Sequence, residues 1–243
     1  MKRIQPKFAQ KRICLINHPN DPMDFIIQGS AAQQFALNSP MVCDMSTPKE
    51  LLDMITPNTR TRYAAHMRIV ESCERDSLQH DTNENTCNQN TAMDTVGVIV
   101  LDDNGLMCTA TSSGGISIKV NGRIGSSAIP GCGLHIQEGI AVTCSGCGED
   151  LIRLQVAMRV AQYFRKGIPA NEWKEFGVFG AICLKVEEGI GAEIMWAHTS
   201  DSFCLAYCST ELDVKTCISR GTHGKLNVGG AFLKSNKNKS ADT

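Results

Sequence analysis

Glycine is distributed very unevenly along this chain of 243 residues, and this constrains the fold more than any other feature. Of the 21 glycines, only Gly29 precedes Thr95. Because glycine permits tight turns and close approach of two backbones, we expect the two sides of Thr95 to be built differently. The sequence before Thr95 predicts helices joined by solvent-exposed segments, and the sequence after it predicts strands joined by tight turns.

The part after Thr95 predicts an antiparallel sheet with helices packed on the outside, an α/β (α+β) fold. Residues 95–101 (TVGVIVL) and 106–112 (LMCTATS) flank DDNG, which is a hairpin-turn sequence. Apolar and β-branched runs predict further strands at 139–145, within 176–187, at 192–198 and at 202–209.

One continuous helix is predicted over residues 149–167. Acidic residues open it, Arg165 and Lys166 lie in its last turn, and Gly167 caps it. Its predicted apolar face consists of Leu151, Leu154, Met158, Ala161 and Phe164.

The part before Thr95 carries two helix signals. Residues 46–55 (STPKELLDMI) form a capping-box pattern that Pro57 stops, and a second helix is predicted over residues 61–76. Residues 71–94 are rich in Asn, Thr, Asp and Glu and predict a disordered linker. Residues 1–28 show no firm periodicity, and residues 231–243 read as a polar tail after a domain spanning 95–230.

Composition excludes several classes of protein. No apolar run approaches the ~18–20 residues that span a bilayer, and the first residues lack the continuous apolar core of a secretory signal. We therefore expect a cytoplasmic or nuclear protein whose 12 cysteines stay mostly reduced. A formal charge of −1 gives no case for nucleic acid or a membrane as the main partner.

An aspartate stands directly before Thr95, at the point where the composition changes. A threonine hydroxyl is a poor nucleophile until a base removes its proton. Cleavage between Asp94 and Thr95 would give Thr95 a free α-amine with a pKa of about 7.7–8.0, which is a built-in base. The ordinary alternative is that Asp94 and Thr95 merely open a strand.

Three later segments add possible partners for this chemistry. ATSSGG (110–115) places hydroxyls and a Gly-Gly pair on the neighbouring strand, where a ligand can approach closely. Arg123 stands between two glycines and suits bidentate binding of a carboxylate. TCSGCGED (143–150) leads from a strand into a helix, so its N–H groups suit a developing oxyanion. A solvated arginine and a tight turn are the ordinary alternatives.

Together, DTVGVIVLDDNG, SSGG, GRIG, GCG and SGCGE resemble the asparaginase-like N-terminal nucleophile hydrolases in order and spacing. Asp94, SSGG, SGCGE and residues 196–220 resemble the threonine aspartase (taspase) branch of this family. The resemblance runs from about residue 29 to residue 220 and implies an αββα sandwich. It also implies self-cleavage before Thr95 into α and β subunits that stay together as a heterodimer, with a dimer of such pairs as a further option.

The resemblance implies roles for individual residues. By match, Thr95 is the nucleophile and base, and Ser113 supports it. Arg123 binds a substrate carboxylate, and Ser145 with Gly146 forms the oxyanion hole. Neither a cofactor nor a metal is implied.

Ser126 bears on the substrate. Asparaginases carry an aspartate there, in GRVGD, which suits the free ammonium group of a small amino acid. A serine supplies no such charge, so Ser126 favours an endopeptidase that cuts protein substrates after aspartate. An asparaginase or isoaspartyl peptidase is the alternative enzyme.

The family has a longer segment before the nucleophile, with HAGAG-like and NAGMGS-like stretches that do not occur here. Residues 29–70 resemble only the last part of that α segment, so we expect a truncated α segment and an incomplete sandwich with exposed apolar faces. A β-subunit-like remnant that binds without turnover is the non-enzymatic alternative.

Two other sites deserve weighing. Cys144 and Cys147 form one CxxC, but structural zinc sites often use paired CxxC units, so buried free thiols are the preferred interpretation. His198 is expected to be a strand histidine satisfied by its neighbours.

Overall fold

The computed structural model describes residues 12–16, 25–28, 57–76, 95–116, 119, 123–137, 139–168, 173, 176–187 and 190–234. In this part of the chain the fold is mixed α/β, as predicted, with antiparallel sheets and helices. This architecture is consistent with the α/β fold of an N-terminal nucleophile hydrolase.

The first sheet has four strands in the order β2-β1-β4-β3, and all neighbouring strands are antiparallel. β3 and β4 form the hairpin that DDNG predicts, with Gly105 at φ 82° in the turn. β1 and β2 extend the sheet with residues from the segment 1–28, for which the sequence predicts no secondary structure. The strands are β1 (Arg12–Ile16), β2 (Phe25–Gln28), β3 (Val96–Leu101) and β4 (Met107–Ser113).

The second sheet has five antiparallel strands in the order β11-β8-β7-β6-β5, and β9 pairs with β10 in a separate hairpin. The strands are β5 (Leu134–Gln137), β6 (Ile140–Gly146), β7 (Phe179–Glu187), β8 (Gly191–His198), β9 (Ser202–Ser209), β10 (Leu212–Arg220) and β11 (Asn227–Lys234).

The helices are α1 (Pro57–Asp76), α2 (Gly148–Leu154) and α3 (Val156–Lys166), with a 3-10 turn at Ser126–Ala128. Pro57 is the first residue of α1, a position where its missing N–H is tolerated. The helix predicted at 46–55 lies outside the described residues. No helix in the described part of the chain is long and apolar enough to cross a membrane.

The two sheets pack face to face through β3 and β4 on one side and β5 and β6 on the other. Alternate residues of β4 are buried, from Met107 to Ser113. Gly97 of β3 lies so close to β6 that a β-carbon there would sit 2.5 Å from Thr143 Oγ1. On the opposite face of β3, Val96, Val98 and Val100 are 66%, 52% and 53% exposed, so the outer face of β3 is apolar and open among the described residues.

The main core lies between the other face of the second sheet and the two helices that follow β6. Ile140, Val142 and Cys144 alternate with Thr143 along β6, so they face the helices while Thr143 faces β3. From α3 the core receives Val156, Ala157, Val160 and Ala161, and Trp173, Phe176 and Phe179 close it with edge and tilted ring contacts. Helices α2 and α3 and the two sheets therefore form an α–β–β stack.

The prediction of one helix over 149–167 is wrong at its centre. Gln155 adopts the left-handed conformation, with φ 48° and ψ 52°, and separates α2 from α3. This turns the second helix, so Val156 and Val160 are fully buried whereas Met158 and Phe164 are only half-buried. The predicted cap at Gly167 is present, with φ 62°.

Two predicted boundaries are also wrong. Residues 71–76 belong to α1, which continues to Asp76, so the predicted helix over residues 61–76 is confirmed there and the overlapping prediction of a disordered linker from residue 71 is wrong. Residues 231–234 belong to β11 rather than to a polar tail, because pairing with β8 extends to Lys234. Ala231, Phe232 and Leu233 form an apolar run that continues the strand.

Replacing Gln155 with glycine is expected to raise the melting temperature. A non-glycine residue in the left-handed region costs about 1 kcal/mol, which corresponds to about 2–4 °C for a domain of this size. The control is Gln162→Gly, an exposed position inside α3, which should lower the melting temperature because glycine weakens a helix interior by about 1 kcal/mol. Thermal unfolding followed by circular dichroism checks both, and a fall in both variants contradicts the strain at Gln155.

Candidate active site

Thr95 and Ser113 face each other where the β3–β4 hairpin opens. Thr95 directly precedes β3, and its Oγ1 donates a hydrogen bond of 3.1 Å to Oγ of Ser113, the last residue of β4. Ser113 Oγ also accepts a hydrogen bond of 3.0 Å from the backbone N–H of Gly115. Thr95 is half-buried and Ser113 is buried. The hairpin thus fixes the two hydroxyls in direct contact.

Arg123 lies between two glycine turns. Its Nη1 is 3.5 Å from the position that a β-carbon on Gly115 would take, and its Nη2 is 3.5 Å from the same position on Gly148. A β-carbon at either glycine would be in ordinary van der Waals contact with the guanidinium. Arg123 therefore links the turn that follows Ser113 to the turn that follows β6.

Arg123 forms an ion pair with Glu149, through Nη2 and Oε1. The arginine side chain is only 15% exposed, whereas that of Glu149, in the first turn of α2, is 65% exposed. The hydrogen bond from Arg123 holds the pKa of Glu149 below its usual value, and partial burial opposes this shift. Sequence reasoning quoted SGCGE but gave Glu149 no role.

The turn that carries Ser126 is held on two sides. Its carbonyl oxygen lies 2.5 Å from the position of a β-carbon on Gly133, so only glycine fits there. Thr111 of β4 donates a hydrogen bond of 2.7 Å to the carbonyl of Ser127. Ser126 Oγ lies 3.9 Å from the β-carbon position of Gly148. This places Ser126 beside the same glycine as Arg123.

Ser145 and Gly146 end β6. Ser145 follows Thr143 on the same side of the strand, the side that faces β3. Its Oγ is buried and has no hydrogen-bond partner within the described structure. A buried unpaired hydroxyl is uncommon, and here it is free to donate to a ligand. A β-carbon on Gly146 would lie 2.6 Å from the carbonyl oxygen of Val178, so a side chain is excluded at this position.

These contacts bring the predicted residues to one end of the sheet stack. Contacts through Gly115 and Gly148 connect Thr95, Ser113, Arg123 and Ser126 to the turn after Ser145 and Gly146. Asp94 lies outside the described residues, and the roles assigned to all of these side chains stay predictions.

Lys119 is a second residue that the sequence reasoning missed. Its Nζ donates to the carbonyl of Gly114 and lies 3.7 Å from the β-carbon position of Gly115. It therefore brings a second cation close to Arg123. Its position in the sequence, shortly after SSGG, is the feature that could have indicated a place near the site.

The cysteines of CxxC are thiols in this structure, Cys144 buried and Cys147 half-buried. Burial raises the pKa of both. The described residues contain no group of three or more His, Cys, Asp and Glu side chains that could hold a metal. His198 donates from Nδ1 to the carbonyl of Ser200 at 2.9 Å and contacts Ser219 Oγ through Nε2 at 2.8 Å, so it is satisfied by its neighbours, as predicted.

The asparaginase family model matches residues 20–213, which is more than half of the chain. The chain therefore belongs to the asparaginase family of N-terminal nucleophile hydrolases. The family match begins at residue 20, before the start of the motif resemblance at about residue 29, and it includes β2.

Curated relatives carry asparaginase and isoaspartyl peptidase names. An isoaspartyl peptidase/L-asparaginase of Bos taurus is 27% identical over 167 residues, 68% of this chain and 53% of the relative. A probable isoaspartyl peptidase/L-asparaginase 2 of Arabidopsis thaliana is 32% identical over 114 residues, 46% of this chain and 34% of the relative. An isoaspartyl peptidase of Escherichia coli is 41% identical over 70 residues, 28% of this chain and 22% of the relative. Each match spans about half or less of the relative's length.

Alkylation should separate the buried thiols from the exposed ones. Cys204 and Cys208 are exposed, so iodoacetamide at about pH 8 is expected to label them first, because the thiolate is the reactive form and access is free. Cys144 and Cys183 are buried with raised pKa values and should be labelled only after unfolding. Peptide mass spectrometry over time checks this order. Rapid labelling of Cys144, or a disulfide between Cys144 and Cys147, would contradict the structural interpretation of CxxC.

Proposed function

We propose that this protein is a threonine hydrolase that activates itself by cutting before Thr95. The carrying observation is the hydrogen bond between Thr95 Oγ1 and Ser113 Oγ, in a chain that belongs to a family of N-terminal nucleophile hydrolases. A buried hydroxyl without a partner, Ser145 Oγ, supports the proposal because it is available for a developing oxyanion.

The proposed self-cleavage uses the Thr95 hydroxyl on the bond that precedes it. Thr95 Oγ1 attacks the carbonyl carbon of Asp94, and the hydroxyl proton passes to the Thr95 nitrogen as the C–N bond breaks. The nitrogen becomes the free α-amine of Thr95, and an ester joins Asp94 to the threonine side chain. Water then hydrolyses this ester, which leaves a carboxylate on Asp94 and restores the hydroxyl. Ser113 is suited to orient the attacking oxygen, because it already accepts a hydrogen bond from it. The two pieces would remain together as α and β subunits.

After the cut, the new α-amine of Thr95 serves as the base. The hydroxyl attacks the substrate carbonyl, the amine takes its proton and passes it to the departing amine, and water releases the acyl group. Ser145 and the N–H of Gly146 are the proposed donors to the oxyanion. Arg123 is the proposed contact for the substrate carboxylate, since its guanidinium lies beside the turn that follows Ser113.

For the substrate we propose a protein segment that is cut after aspartate, as in the threonine aspartase branch. Asp94 supports this, because self-cleavage would then resemble substrate cleavage. Ser126 also supports it: it lies beside Gly148 near Arg123 and brings no negative charge for a substrate ammonium group. A peptide chain has a neutral amide at that point. The proposed setting is the cytoplasm or nucleus, without nucleic acid, membrane or cofactor.

Hydrolysis of small amides is the second candidate, and the names of the relatives favour it. The proteins from Bos taurus, Arabidopsis thaliana and Escherichia coli are named for isoaspartyl peptidase activity, and two of them also for L-asparaginase activity. Arg123 would serve this reaction equally, because isoaspartyl peptides and asparagine also carry a carboxylate. The difference lies in whether the site accepts a free ammonium group next to Ser126.

Turnover of three substrates distinguishes the two candidates. A peptide with an internal aspartate is expected to be cut after that residue, with little release from an isoaspartyl dipeptide or ammonia from L-asparagine. Thr95→Ala should lower the rate of hydrolysis at least about a thousandfold, because binding contacts cannot replace a nucleophile. Mass spectrometry of the peptide products and an ammonia assay are the measurements.

The result can contradict the proposal in two ways. Faster turnover of the small amides would transfer the assignment to the asparaginase type. Equal rates for wild type and Thr95→Ala would remove Thr95 as the nucleophile, and a folded protein that turns over none of the three would favour a binding remnant.

A further inference from the structure

We propose that Glu149 is a positioning residue that holds Arg123 in the orientation required to bind a substrate carboxylate. The proposal rests on the proposed function, in which Arg123 contacts the substrate. It assigns a role to a side chain that lies outside the predicted site.

The two ends of the Arg123 guanidinium face different parts of the site. Nη2 pairs with Glu149 on the side of Gly148, whereas Nη1 lies on the side of Gly115. The N–H of Gly115 is bonded to Ser113 Oγ, which accepts from Thr95. Glu149 therefore holds the arginine by the nitrogen on the α2 side, while Nη1 lies on the side of the hydroxyl pair.

The exposures of the two side chains fit positioning rather than blocking. Arg123 is 15% exposed and Glu149 is 65% exposed. The Glu149 carboxylate therefore lies at the solvent-exposed edge of the site, whereas the guanidinium charge that it stabilises is mostly shielded from water.

An arginine side chain has several rotatable bonds, so its free form samples many directions. A site that fixes such a side chain before the ligand arrives loses less entropy on binding. Glu149 sits at the start of α2, directly after the turn that carries Ser145 and Gly146. The ion pair thus ties the carboxylate-binding residue to the element that carries the proposed oxyanion donors.

Glu149 has a second plausible effect, which the test must separate. It lies in the first turn of α2, where a negative charge stabilises the helix. Asp150 lies in the same turn and pairs with Arg153, away from Arg123. Asp150→Asn is therefore a matched control, because it removes the same charge from the same turn and leaves the Arg123 pair intact.

The experiment measures binding, which does not require turnover. A peptide that ends in aspartate, the product of the proposed cleavage, is titrated into the full wild-type chain by calorimetry. The comparison ligand is the same peptide ending in asparagine amide, which has no carboxylate. Glu149→Gln should weaken binding of the aspartate peptide about three- to fivefold, the range of an exposed ion pair, with no change for the amide. Asp150→Asn should leave both affinities unchanged.

A double-mutant cycle tests whether Glu149 acts through Arg123. In an Arg123→Gln background, Glu149→Gln should have no further effect on binding. Glu149→Asp should recover part of the affinity, since it retains the charge. Melting temperatures of all variants show whether each one is folded.

Four results overturn the proposal. These are unchanged or tighter binding in Glu149→Gln, an equal loss in Asp150→Asn, an equal loss in the Arg123→Gln background, and no binding by the wild-type chain. Failure of the proposed function is a separate observation: a wild-type chain that binds the peptide as expected but hydrolyses nothing refutes the activity and leaves the role of Glu149 standing.

Discussion

The close approach of the two sheets at Gly97 is the constraint on which the site depends. A side chain at this position would collide with Thr143 of β6, at 2.5 Å from its Oγ1, so β3 would have to move away from the second sheet. Thr95 directly precedes β3, and Ser145 follows Thr143 on β6. The proposed nucleophile and oxyanion donor therefore lie next to the place where the absence of one side chain lets β3 and β6 pack together.

Glycine turns extend the same principle to the rest of the site. Gly133 admits the carbonyl of Ser126, Gly146 admits that of Val178, and Gly115 and Gly148 flank Arg123. At Gly133 and Gly146 the absence of a side chain leaves room for a backbone carbonyl, and at Gly115 and Gly148 the guanidinium lies within van der Waals contact of the β-carbon position. The uneven glycine distribution in the sequence thus has a direct structural meaning, because the part of the chain that carries the site is the part that needs close packing.

Local patterns predicted much of the second part of the chain. The β3–β4 hairpin follows from alternating residues around DDNG, and the motifs SSGG, GRIG and SGCGE marked the residues that the structure brings together. Local patterns failed where the cause is distant. β1 and β2 are short; β1 pairs with β4, and β2 pairs with β1. Gln155 lies in a sequence that predicts a helix, although it adopts a left-handed conformation. The Arg123–Glu149 pair joins residues 26 positions apart, which no local pattern specifies.

The central claim is that Thr95 is a nucleophile able to cut its own chain, and the intact mass of the purified protein tests it most directly. After incubation, the wild-type chain should give two fragments that meet between Asp94 and Thr95, with threonine as the new N-terminal residue by Edman sequencing. The Thr95→Ala chain should remain whole. A single uncut mass for the folded wild-type protein, or the same cut in Thr95→Ala, would contradict the account.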